Sequence, residues 1–144
     1  MDRVSPEARS KIMSRIRSKN TKAEVILRKS LRELGLKGYR IHYSMPGRPD
    51  IVFTSVKLAV FIDGDFWHGY LWENMGRVPI KQYWKEKIAG NMARDKRVNS
   101  ELKKQGWKVI RIWEHDVMKK PQASALKVSK AYKGLKKAAE AKEM

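Results

Sequence analysis

The stretch FIDGDFWHGY, residues 61–70, sets two aspartates, two adjacent aromatics and a histidine within the eight positions from Phe61 to His68. A core strand has no use for that combination, because a buried carboxylate is costly unless it is paired. Just upstream, PGRPD ends in Asp50, and the runs Ile51-Val52-Phe53 and Leu58-Ala59-Val60-Phe61-Ile62 on either side of TSVK read as an antiparallel hairpin. If the chain turns at residues 54–57, Asp50 returns beside residues 61–63, and Asp50 and Asp63 meet at one end of one sheet. Carboxylates grouped in this way repel unless a hard cation lies between them. Mg²⁺ takes few protein carboxylates and leaves room for water and phosphate oxygens. The layout suits a metal-assisted phosphodiester hydrolase. Asp50, Asp63 and Ile62, the last through its backbone carbonyl, are the candidate metal positions. His68 lies five residues beyond Asp63, and an imidazole, whose ordinary pKa is near neutrality, suits the removal of a proton from water.

The elements that must position these groups follow from pattern. Ser5-Pro6-Glu7 reads as a cap and first turn of a short helix with Ala8, Ile12, Met13 and Ile16 on one face and Arg9, Lys11, Arg15, Arg17 and Lys19 on the other. Thr21-Lys22-Ala23-Glu24 has capping-box spacing, and Leu27, Leu31 and Leu34 carry a helical stripe to Gly35. Residues 39–45 are an edge-strand candidate. From Gln82 to about Gln105 the positions Trp84, Ile88, Met92, Val98 and Leu102 predict a long amphipathic helix stopped by Gly106, weakened in its middle by Gly90. Asp95, seven residues from Ile88, shares its sheet-facing side. WKVIRIW, residues 107–113, is a buried-strand candidate, and residues 121–142 form a lysine-rich helical tail. The order predicts an α/β or α+β fold with a mixed sheet flanked by helices, in one domain spanning residues 1–144.

Composition narrows the partners. Lys+Arg total 33 against 15 Asp+Glu, a net charge of +18 on 144 residues, and a chain so basic is drawn to polyanions. The expected partner is nucleic acid rather than a membrane, because no apolar run approaches the length of a spanning helix and MDRVSPEARSK has no signal-peptide core. The expected location is cytoplasmic, on the nucleoid. There are no cysteines, so disulfides, thiol nucleophiles and thiolate zinc sites are excluded.

Together, Glu24, PGRPD ending in Asp50, DGDFWH ending in His68, the WKEKIAGNMARD run from Trp84 to Asp95 and GWKVIRIWE from Gly106 to Glu114 resemble the very-short-patch repair endonucleases, the Vsr family. The resemblance spans residues 8–118 through five separated motifs in order. It implies a restriction-endonuclease-like core and Mg²⁺-dependent nicking of one strand of duplex DNA beside a T:G mismatch. By position it implies that Asp50 binds metal, that His68 is the base or water-orienting group, and that Glu24 and Asp95 are supporting acids. Phe66, Trp67 and Trp84 match the aromatics that wedge into the base stack. Arg15, Arg17, Lys19 and Arg48 are the cationic DNA-contact candidates. The sequence departs from the family at its structural zinc: where cysteines and a histidine are common, it has Asp65, Tyr70, Trp72 and His115. These give too few ligands for a closed tetrahedral site, so a structural zinc is not expected and packing must hold the loop.

Simpler roles exist for several of these residues. Glu24 completes a capping box whatever the function, Asp50 and Asp63-Gly64 suit turns, and Trp84 fits a core stripe. A monomer is expected, since nicking needs one site per event. The rival functions are a restriction-associated, homing-type or structure-specific nuclease on the same core, and a non-catalytic DNA-binding protein. The last is disfavoured by Glu24, Asp50, His68 and Asp95 together, since simple binding has no use for acids near a polyanion.

Overall fold

The computed structural model describes residues 21–65, 69–78 and 81–143. The expected N-terminal helix with Arg15, Arg17 and Lys19, together with Phe66, Trp67 and His68, lies outside the described residues.

Thr21 caps the first described helix, α1 (Lys22–Glu33), its side chain accepting the Glu24 amide at 3.3 Å. Ala23, Leu27 and Leu31 form the buried stripe, and Gly35 ends the helix in the left-handed region at φ 80°. The edge strand β1 is only Arg40–Ile41, shorter than the 39–45 expectation, because His42 turns into the left-handed region at φ 53° and breaks the extended backbone. Strands β2 (Ile51–Phe53) and β3 (Leu58–Asp63) make the expected hairpin, with Ile51 opposite Val60 and Phe53 opposite Leu58. The chain then runs through α2 (Tyr70–Met75) and α3 (Gln82–Lys104) to β4 (Lys108–Trp113), which lies parallel to β3 with Phe61 beside Arg111 and Asp63 beside Trp113. The helices α4 (Glu114–Lys119) and α5 (Pro121–Glu143) complete the chain. At 6 residues each, α2 and α4 are too short to show a helical period in sequence.

The sheet order is β1-β2-β3-β4, antiparallel across β1 to β3 and parallel from β3 to β4. Alternation along the strands sends side chains to two faces. Leu58, Val60, Ile110 and Ile112 pack with Leu27 and Leu31 of α1, Val117 of α4 and Val128 of α5. Ala59 and Phe61 pack on the other face with Leu102 and Val98 of α3. The result is a mixed sheet between helical layers, the α+β arrangement expected. The end of β3 therefore lies between α1 and α3, with both helices able to supply side chains to it. Among the described residues no helix is long and apolar enough to cross a membrane.

Candidate active site

Hairpin register brings Asp50 to the end of β3. Its amide donates to the Val60 carbonyl at 3.0 Å, and its Oδ2 accepts the Ile62 amide at 2.7 Å. Glu24, 6 % exposed in the first turn of α1, stands within hydrogen-bonding range of the Asp50 carboxyl. Burial pushes the Asp50 carboxyl up to about 8, against the pull of the Ile62 amide, and the hydrogen bond and charge of Glu24 and the charge of Asp63 raise it further. Glu24 Oε2 lies 3.6 Å from Arg28 Nη1 and 3.8 Å from His42 Nε2. The capping role and the site role of Glu24 are thus compatible: its backbone amide serves the cap while its carboxylate faces Asp50.

The other two acids form a second group. Asp63, also 6 % exposed, takes Arg111 Nη1 on Oδ1 at 2.8 Å, and Asp95 Oδ1 of α3 lies 3.6 Å from the same nitrogen. Asp63 was expected beside Asp50 as a metal ligand; the alternation of β3 instead turns it toward α3, where a guanidinium takes its carboxylate. Asp95 faces the sheet as its helical spacing requires. Asp63, Met92, Asp95, Lys96, Asn99, Arg111 and Trp113 line a cavity of about 200 Å³.

Beyond β3 the chain is fixed without thiolates. Asp65 Oδ1 lies 2.8 Å from His115 Nδ1, and Asp116 Oδ1 lies 3.3 Å from His115 Nε2. The Tyr70 amide donates to the Asp65 carbonyl at 3.0 Å. Its ring meets those of His115 and Trp113 edge-on, at 4.5 and 5.0 Å between centroids. Both imidazole nitrogens of His115 thus face carboxylates. Glu114 is pushed up by burial and by the charge of Asp65. After the segment bearing His68, Gly69 turns left-handed at φ 72°, where an added Cβ would lie 2.5 Å from Met92 Sδ.

Trp84 corrects an expectation. It was placed among the base-wedging aromatics, but it is 6 % exposed and packs with Ile88 and Met92 along its own helix. Arg48, in the PGRPD turn at φ 48°, is exposed. His42 and Arg111 escaped the sequence reading. The arginine left a signal, a cation two residues before Trp113 in the middle of the apolar run VIRIW; His42 left none, since its position depends on the backbone reversal after β1.

A mixed sheet whose central hairpin ends in buried, facing carboxyls defines a restriction-endonuclease-like phosphodiester hydrolase. The family model described as "DNA mismatch endonuclease Vsr" matches residues 1–74. The chain is 43 % identical over 134 residues to the type II nicking enzyme V.NmeDIP of Neisseria meningitidis serogroup C, covering 91 % of this chain and 90 % of that one. It is 42 % identical over 135 residues to the type II nicking enzyme V.HpaIIP of Haemophilus parainfluenzae, covering 91 % and 95 %. To the DNA mismatch endonuclease Vsr of Escherichia coli K12 it is 38 % identical over 112 residues, covering 74 % and 69 %. The chain belongs to the Vsr family and is a DNA endonuclease.

Proposed function

We propose that this endonuclease uses Mg²⁺ to nick one strand of duplex DNA beside a T:G mismatch. The observation that carries the metal reading is the Asp50–Glu24 couple: two facing, largely buried carboxyls of which one is driven up to about 8. Ionising both in a buried site is costly, and a divalent cation between them relieves that cost. The donors there, Asp50, Glu24 and the Ile62 carbonyl, are all oxygens, which fits Mg²⁺. When bound, Mg²⁺ would polarise a phosphate oxygen and acidify a coordinated water.

The protein's part is positioning and proton transfer. The Ile62 amide fixes one oxygen of Asp50, so the carboxylate is aimed before substrate arrives. His68, assigned by sequence, takes the proton from the attacking water. Phe66 and Trp67 enter the base stack on the same loop, kinking the duplex as apolar wedges do. The surplus of cations, +18 overall, holds the phosphate backbone and makes binding steeply salt-dependent. The Asp65–His115 pair and the Tyr70 ring take the place of a structural zinc. The enzyme acts as a monomer.

Strand-resolved cleavage of matched and T:G-mismatched duplexes, with Mg²⁺ or EDTA, by the native protein and Asp50→Ala, tests the reading. Nicking confined to the mismatched duplex, dependent on Mg²⁺ and lost in Asp50→Ala, is the expected result. Equal cutting of both duplexes would favour a second reading, a nicking enzyme of the same fold with another DNA target; two relatives are named type II nicking enzymes.

A further inference from the structure

Arg111 stands at the centre of the second acidic group, and nothing about its family motif requires a cation there. Its Nη1 takes Asp63 at 2.8 Å and lies 3.6 Å from Asp95. Its Nε donates to Asn99 Oδ1 at 2.7 Å, and its guanidinium carbon lies 4.1 Å from the centroid of the Phe61 ring. The side chain is 17 % exposed, against 8 % for Asp63 and 20 % for Asp95. A planar guanidinium held by two carboxylates, an amide oxygen and an aromatic face is fixed in place; an ammonium could not satisfy the same set. Without it, two carboxylates would face each other across the cavity at the end of β3 and repel.

The register explains why this matters for the site. Arg111 of β4 is the neighbour of Phe61, and its side chain runs along β3 to Asp63. Asp63 follows Ile62, whose amide holds Asp50. The Arg111 pair thus anchors to α3 the same strand end that aims Asp50 toward Glu24 of α1.

We propose that Arg111 is a positioning residue that serves as the resident cation of Asp63 and Asp95, keeping both carboxylates out of metal coordination and leaving the divalent ion to Asp50 and Glu24. This rests on the Mg²⁺-dependent nuclease reading. A chain lacking Arg111 would lose the guanidinium that joins Asp63 to Asp95, which opens both carboxylates to competition for the divalent ion.

The test is Mn²⁺ binding to the full chain, followed by electron paramagnetic resonance of the free ion, alongside nicking kinetics. Asp50→Asn is expected to abolish measurable binding. The double variant Asp63→Asn with Arg111→Met removes a neutral pair and is expected to keep Mn²⁺ affinity within about threefold of the native protein, since the coupled losses cancel. Arg111→Met alone is expected to bind Mn²⁺ more tightly yet to turn over about tenfold more slowly at saturating metal, with the KM for DNA unchanged, as a misplaced strand end predicts. A well-folded double variant that loses about tenfold or more in Mn²⁺ affinity would identify Asp63 as a ligand and overturn the proposal. So would an Arg111→Met enzyme with native turnover. Should the double variant not fold, Arg111→Lys decides instead: the charge is kept and the fork lost, so reduced turnover with native Mn²⁺ affinity supports the proposal, and changed affinity overturns it. If the native protein binds no Mn²⁺ and nicks without metal, the underlying nuclease reading fails, and that outcome is distinct from every one above.

Discussion

Replacing Asp50 with Asn separates the cost of the site from its use. A carboxyl whose folded pKa lies above its unfolded value keeps a proton that the unfolded chain has released. Its contribution to stability is intact below the unfolded value and is lost as pH rises through the folded one. For Asp50 that window runs from 3.8 to about 8, so this group destabilises the metal-free protein progressively between those limits. The displacement of roughly four pKa units, at about 1.36 kcal/mol each, bounds the effect near 6 kcal/mol. Asparagine retains an acceptor for the Ile62 amide and removes the charge. In EDTA at pH 8, Asp50→Asn should therefore raise Tm by as much as roughly 15 °C, at about 3 °C per kcal/mol for a chain of this size. At pH 5 the gain should fall to about 1.6 kcal/mol, because only the interval from 3.8 to 5 then contributes, at about 1.36 kcal/mol per unit. Thermal unfolding of both proteins at the two pH values supplies the four midpoints needed. An equal gain at both, or a loss at pH 8, would refute the account, since neither follows from burial of a carboxylate.

Two further substitutions test Trp84 and His115. Trp84→Ala should cost about 3–5 kcal/mol in denaturant unfolding, the range for emptying a buried aromatic site; unchanged stability with weakened DNA binding would restore Trp84 to the wedge. His115→Ala should cost on the order of 1–2 kcal/mol through the lost Asp65 contact and slow nicking more than it weakens DNA binding. A zinc chelator should leave the native unfolding midpoint where it was, and a fall on chelation would show that a metal holds this loop after all.

Much of the fold was legible because its signals are local. The Thr21 cap, the stripe from Leu27 to Leu31, the TSVK turn and the Gly106 stop each depend on a few neighbouring residues, and each appears where spacing placed it. The hairpin sum that put Asp50 beside residues 61–63 was sufficient to find the Ile62 amide bond. Alternation was underused: counting from Val60 into the α1-side core would have turned Asp63 to the opposite face, toward α3. Arg111 could not be assigned from spacing, since its partners come from β3 and α3 and depend on a parallel register. Trp84 was ambiguous for a related reason, as an apolar helix position is compatible with core or surface until the neighbouring loop is placed.

The two halves of the acidic site also differ in the length of chain that must close to make them. Ile62 and Asp50 are separated by 12 residues within a hairpin, whereas Arg111 and Asp63 are separated by 48, across α2 and α3. Two doublings of loop length add about 1.2 kcal/mol of closure entropy, and distant pairings form later than local ones. During folding, Asp50 therefore acquires its amide partner while Asp63 is still without its guanidinium. Pulse-labelled hydrogen exchange should find the Ile62 amide protected before the amides of β4, and simultaneous protection would show that the site condenses in a single event.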